Sequence, residues 1–207
     1  MSKPISPTAK APQRERGKQR VAALLEAGAA LFAEKGYAAT TMTEVAARAG
    51  APIGSLYQFF PNKETLAEAL FSRYSDTIRE LVAAIEARAA QMTPQQFGDA
   101  LLDVLVDLRD EREAMVALLD AHPNADKPAM REGMRRGVRA ALAAFLPKLA
   151  AVQLDRAAAV LQYQMKTAAT ICIAEGGPRC APLRELRVLV HTYLQHLAAS
   201  KSTTAAT

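Results

Sequence analysis

Apolar residues recur along this chain at helical spacing, and the polar residues between them mark where each helix starts and stops. The set Val21, Leu24, Leu25, Gly28, Leu31 and Phe32 predicts a first helix over 16–35, ended by Gly36. Thr41, followed three residues later by Glu44, is a capping-box signature that starts a second helix at Met42. Val45, Ala46 and Ala49 fall on one face of it. Gly50 stands where it should stop, because a glycine just past a helix end reaches the left-handed conformation without strain. Pro52 suits the first turn of a third helix. That helix carries Ile53, Gly54, Ser55, Tyr57, Gln58 and Phe59, with Leu56 and Phe60 facing inward. Pro61 and Asn62 end it, and Asn62 can cap the next.

A long fourth helix begins at Lys63, with Leu66, Leu70, Tyr74, Ile78, Leu81, Val82 and Ile85 as its stripe, and runs to about 91 before Thr93-Pro94. At 1.5 Å per residue such a rod spans about 42 Å. A fifth helix over 94–110 places Phe97, Leu101, Leu102, Leu105 and Leu108 inside. Its Asp99, Asp103 and Asp107 recur every four residues, which fits a solvated stripe or a wall for a cationic ligand. A short sixth helix (113–121) precedes the break at His122-Pro123-Asn124. The seventh (125–146) sets Met130, Met134, Val138, Leu142 and Phe145 largely opposite Arg131, Arg135, Arg136 and Arg139. The eighth (154–175) is apolar almost all round and needs cover on several sides. Gly176-Gly177-Pro178 separates it from a ninth over 182–199. No internal repeat is visible.

The second and third helices are too short to bury a core alone. Joined by a tight glycine turn, they read as a helix-turn-helix, although an ordinary helical hairpin has the same punctuation. Charge adds weight to the first reading. The formal net charge is +5, and residues 1–20 alone hold Lys3, Lys10, Arg14, Arg16, Lys18 and Arg20 against Glu15. The remainder of the chain is balanced, so the whole basic excess lies beside this stretch, where a polyanion would use it. A solubilising tail is the alternative use of the same charge. Pro4, Pro7 and Pro12 interrupt it, and a disordered basic arm is expected over 1–15.

Several classes of function are disfavoured. Two cysteines, Cys172 and Cys180, make no disulfide framework, and no cysteine or histidine spacing suggests a metal. No apolar run is long enough to cross a membrane, and the N-terminus lacks the apolar segment of a signal peptide, so a cytoplasmic location is expected. His122, His191 and His196 are isolated, and neither paired catalytic carboxylates nor a phosphate loop is present, so an enzyme is not expected. No cofactor is expected either.

The residues of the first quarter also carry a resemblance. Arg20 through Phe32, Gly36-Tyr37, Thr40-Thr41, Val45-Ala46, Ala49-Gly50, Gly54-Ser55-Leu56-Tyr57, Phe60 and Lys63-Glu64 with Leu66 resemble the N-terminal domain of TetR-family transcriptional regulators. The resemblance runs from about 20 to 70. It implies an all-α protein of about nine helices. A three-helix helix-turn-helix DNA-binding domain (16–62) would be followed by a larger helical ligand-binding and dimerisation domain (63–200) and a disordered tail (201–207).

The resemblance further implies that a homodimer binds double-stranded operator DNA and is released by a small-molecule effector. The DNA-facing positions would be Thr41, Ile53, Gly54, Ser55, Tyr57, Gln58, Phe59 and Lys63. Among these, Gln58 has the amide that pairs bidentately with adenine, and Ile53 suits a thymine methyl. Thr41, Tyr57 and Lys63 suit phosphates. Phe59 departs from the more usual Tyr or His and has no polar tip for a phosphate. The last two helices have what a paired-helix dimer face needs. Candidate lining residues of the effector site are Phe97, Leu101, Met115, Leu119, Met134, Tyr163 and Met165, with Tyr163 and Lys166 as polar contacts. Two rival readings keep a similar fold. One is a thiol sensor, with Cys180 beside Arg179 as the reactive position. The other is a helical small-molecule carrier without DNA function.

Overall fold

The computed structural model describes residues 13–109, 111–112, 115, 118 and 127–199. All regular structure among them is helical. In order these are α1 (Gln13–Ala39), α2 (Met42–Arg48), α3 (Ile53–Phe59), α4 (Lys63–Glu86), a 3-10 turn (Ala89–Gln91), α5 (Pro94–Asp107), α6 (Lys127–Phe145), α7 (Ala151–Ala174) and α8 (Ala181–Ala199). The chain divides into two compact units between Leu70 and Phe71. The expected sixth helix and Leu119 lie wholly or mostly outside the described residues, as do most of the basic arm and the 201–207 tail. The expected seventh, eighth and ninth helices are α6, α7 and α8.

In the first unit, Leu24, Leu25, Leu31 and Phe32 of α1, Met42 and Val45 of α2, Leu56 of α3, and Leu66, Ala67 and Leu70 of α4 are all buried. Helix α1 starts at Gln13, inside the stretch expected to be disordered, because helix-competent residues follow directly on Pro12. Gly36 breaks its last turns at φ 81°, a left-handed conformation that residues with a Cβ rarely adopt. The hydroxyl of buried Thr40 closes that break, donating to the carbonyls of Gly36 (2.9 Å) and Leu31 (3.2 Å).

The second unit is built on α5, which packs along α7 and α8, while α6 packs along α7. Phe97 is fully buried and stacks on Phe145 of α6, with ring centroids 4.4 Å apart. A Cβ on Gly98 would sit 3.1 Å from side-chain atoms of Val190, His191 and Leu194, so the missing side chain is what lets α5 and α8 approach. Helix α4 ends at Glu86, short of 91. The backbone tightens to i→i+3 hydrogen bonds (Arg88 to Ile85 and Gln91 to Arg88, both 3.1 Å) as Ala89 enters the core.

Two of the three aspartates in the α5 stripe, Asp99 and Asp103, are paired with α8 rather than left free for a cationic ligand. Arg187 of α8 donates to Asp99 at 2.8 Å and also pairs with Asp103, and the ring of His191 hydrogen-bonds Asp99 at 2.9 Å. Partial burial opposes the Arg187 charge, but the two carboxylates outweigh it and raise its pKa. Only Asp107 of the three is exposed.

Truncating Phe97 removes a ring that is fully buried and stacked on Phe145. Phe97→Ala is expected to cost about 3–5 kcal/mol of stability, read as a lower urea midpoint at unchanged m-value. A loss below about 1 kcal/mol would show that this packing is loose.

Candidate functional site

Two short helices hold the candidate interface. Helix α2 opens with a complete capping box. The Thr41 hydroxyl accepts the Glu44 amide (3.3 Å), and the Glu44 carboxylate accepts the Thr41 amide (2.9 Å) and hydroxyl (2.7 Å). Lys35 also pairs with Glu44; it, and then Thr41, hold the Glu44 pKa down to about 2. Arg48 at the other end of α2 clamps Glu34 of α1 through two hydrogen bonds of 2.5 and 2.6 Å. The turn after α2 is a Schellman motif. Gly50, at φ 59°, donates to Ala47 (3.1 Å), and Ala51 donates to Ala46 (3.0 Å).

This turn delivers α3 with Leu56 fully buried and Phe60 nearly so. The opposite side faces out. Ile53 is 41%, Tyr57 49% and Phe59 39% exposed, and Gly54 and Gln58 are exposed as well. The helix contains no acidic residue. Ser55 is half-buried and accepts from Arg20 of α1 at 3.3 Å, which brings a cation to the edge of the face. Sequence reading did not assign this role to Arg20, because no local spacing relates positions 35 residues apart.

Lys63 behaves differently from the expectation. Its ammonium donates to the carbonyls of Tyr37 (2.7 Å), Thr40 (2.9 Å) and Ala38 (3.2 Å) and lies 4.4 Å from the Tyr37 ring centre. Three donors are therefore spent inside the unit, and a phosphate would have to compete with them. Thr41 is exposed, but its hydroxyl proton already goes to the charged Glu44, which also disfavours a phosphate there.

The second unit contains a cavity of about 400 Å³. Tyr74, Ser75, Ile78, Arg79 and Val82 of α4 form one wall. Met130, Arg131, Met134 and Arg136 of α6 form another; Leu105, Arg112, Met115 and Lys166 close it. Burial, followed by repulsion from Arg131, Arg112 and Arg135, lowers the Lys166 pKa. Burial pushes the Tyr74 hydroxyl up to about 12, against the pull of Arg112 and with a further push from Glu111.

Residues 24–70 match the family model described as bacterial regulatory proteins, tetR family. The match covers under half of the chain and marks this segment as similar to the DNA-binding part of that family. The chain is 34% identical over 103 residues to the HTH-type transcriptional repressor KstR2 of Rhodococcus jostii, covering 45% of this chain and 50% of that protein. It is 26% identical over 150 residues to the HTH-type transcriptional regulator TtgR of Pseudomonas putida, covering 60% and 70%. It also resembles the crystal structure of a TetR-family transcriptional regulator from Streptomyces coelicolor. That likeness has 27% identity and a TM-score of 0.56, and covers 87% of this chain and 98% of the other. The chain spans about half the length of the curated KstR2 relative it matches.

The expected DNA-facing residues Ile53, Gly54, Tyr57, Gln58 and Phe59 are all exposed on α3, and Ser55 is half-buried. Of the expected effector residues, Met115, Met134 and Lys166 line the cavity. Phe97, Leu101 and Met165 do not: each is at most 1% exposed and packs in the core between helices. Tyr163 is 55% exposed on the outer side of α7, where it does not reach the cavity. Arg131 and Arg136 were expected largely opposite Met130 and Met134 on α6, yet both sets border the cavity.

Replacing Lys63 by Met should lower stability by about 1–3 kcal/mol, because carbonyls of the α1–α2 connection lose a charged donor. An unchanged thermal midpoint would mean the ammonium is free. Because the folded pKa of Glu44 lies below its ordinary 4.5, its contribution is present above that value and fades as pH falls towards about 2. Glu44→Gln should flatten the acid limb of a stability–pH curve over that window, and a limb identical to wild type would contradict the assignment.

Proposed function

We propose that this chain is a DNA-binding transcriptional regulator that grips a near-palindromic operator as a homodimer and lets go when a small molecule fills the second unit. The observation that carries the reading is the division of α3. Its apolar side anchors in the core, while Tyr57, Gln58, Ile53 and Gly54 project from a helix free of acidic side chains. Such a helix fits the major groove, where Gln58 can read adenine and Tyr57 can donate to a phosphate. Gly54 allows close backbone approach. Arg20 supplies charge at the edge, and Lys63 supports the face from behind.

A single helix of this length reads too little sequence, so two copies are needed, placed about 34–36 Å apart on one side of the duplex. Helices α7 and α8 supply a surface for pairing. Val152, Val160, Tyr163 and Ile173 on α7 and Val188 and Leu189 on α8 are exposed apolar side chains, and Leu189 is 67% exposed. Two such helix pairs can form a four-helix bundle across a two-fold axis.

Helix α4 provides the means of release. Leu66, Ala67 and Leu70 belong to the core beneath α3, and Ile78 and Val82 of the same helix border the cavity. A ligand that prefers one placement of α4 therefore biases the DNA-binding unit by its difference in affinity between the two states.

Gel shifts over a salt series with DNA from upstream of the chain's own gene test this reading. Tyr57→Phe should weaken binding about three- to ten-fold on every sequence. Gln58→Ala should instead cost about 1–3 kcal/mol only on operators carrying the contacted base. Sedimentation should show Leu189→Arg as a monomer with operator affinity lost. Wild-type binding by both α3 variants, or a dimer persisting in Leu189→Arg, would overturn the respective part.

A further inference from the structure

Every charged residue among the described lining of the cavity is a cation: Arg79, Arg112, Arg131, Arg136 and Lys166. Arg79 has Asp76 beside it as an ion-pair partner. Among the described residues, the other four are in no ion pair. Glu111 is near enough to act on Tyr74, but it is exposed and does not line the space. The remaining wall is apolar, with Ile78, Val82 and Leu105 buried and methionines beside them.

Confining like charges around a partly apolar space is unfavourable in the empty protein. Lys166 registers it, since three arginines help to depress its pKa. A buried opposite charge reverses that penalty, and guanidinium groups hold a carboxylate or phosphate in matched geometry. The two aspartates that could have attracted a cationic ligand, Asp99 and Asp103, are already occupied by Arg187.

We propose that the cavity binds an amphipathic anion, its apolar body against Ile78, Val82 and Met134 and its carboxylate or phosphate head held by Lys166, Arg131 and Arg112. This rests on the cavity being the effector site of the proposed regulator, and it narrows the effector to one charge class. A neutral or cationic apolar molecule of the same length would leave the cluster uncompensated. Methionines on one wall accommodate bodies of varied shape.

Calorimetric titration of the full chain with decanoate, decyl phosphate, decanol and decyltrimethylammonium, each below its micelle concentration, tests the proposal. At least one of the two anions should bind about tenfold or more tighter than decanol, and the ammonium should bind weakest. Whichever anion binds tighter identifies the head as carboxylate or phosphate. Lys166→Met, which keeps an apolar stem, and Arg131→Gln, an independent check should the first fold poorly, should each lose about tenfold for the anion and little for decanol. Equal binding of decanol and both anions, tighter binding of the ammonium, or no binding of any of the four overturns the proposal. A parallel operator-release assay separates the two readings. Anion binding without DNA release upholds the anion site and rejects the effector role.

Discussion

One ammonium group ties the N-terminal unit together. Lys63, the first residue of α4, reaches back to carbonyls of Tyr37, Ala38 and Thr40, where α1 ends and α2 is about to begin. Those carbonyls lie at a helix end, where backbone acceptors lack intrahelical partners and a cation is favoured. The connection between α1 and α2 is thereby fixed to the helix that follows α3. With Leu56 and Phe60 buried from the other direction, α3 has one side committed to the core, and its outward residues follow from that commitment.

Helix α4 makes this constraint reach further. Leu66, Ala67 and Leu70 complete the core under α3. Tyr74, Ser75, Ile78 and Arg79, one and two turns on, border the cavity. Helix α4 therefore contributes side chains to both units.

Local punctuation was legible in the sequence. Thr41 with Glu44, Gly50 and Asn62 each use chemistry confined to a few neighbouring residues, and each does what its spacing implies. The inward and outward sides of α3 were legible for the same reason. What escaped was set by long-range pairing. Lys63 looks identical in sequence whether it points at a phosphate or at the chain behind it. The aspartates of α5 find Arg187 more than eighty positions away. Apolar periodicity marks Phe97, Leu101 and Met165 as inward-facing but cannot tell a packed core from a wall, and the charged lining of the cavity came from arginines that a helical projection assigns to solvent. The exposed residues of α7 and α8 were part of an almost continuous apolar pattern, in which Leu189 and Leu186 look alike until burial separates them.

The most direct measurement is photo-crosslinking. A photoreactive amino acid is placed at position 58 of the full chain, with position 81 on the exposed side of α4 as the control, and each variant is irradiated with duplex DNA from upstream of its own gene. The account predicts crosslinks from position 58 that map to bases in two half-sites one helical turn apart and vanish with excess unlabelled duplex. Crosslinking from position 81 alone, or none from position 58 at low salt, would contradict it.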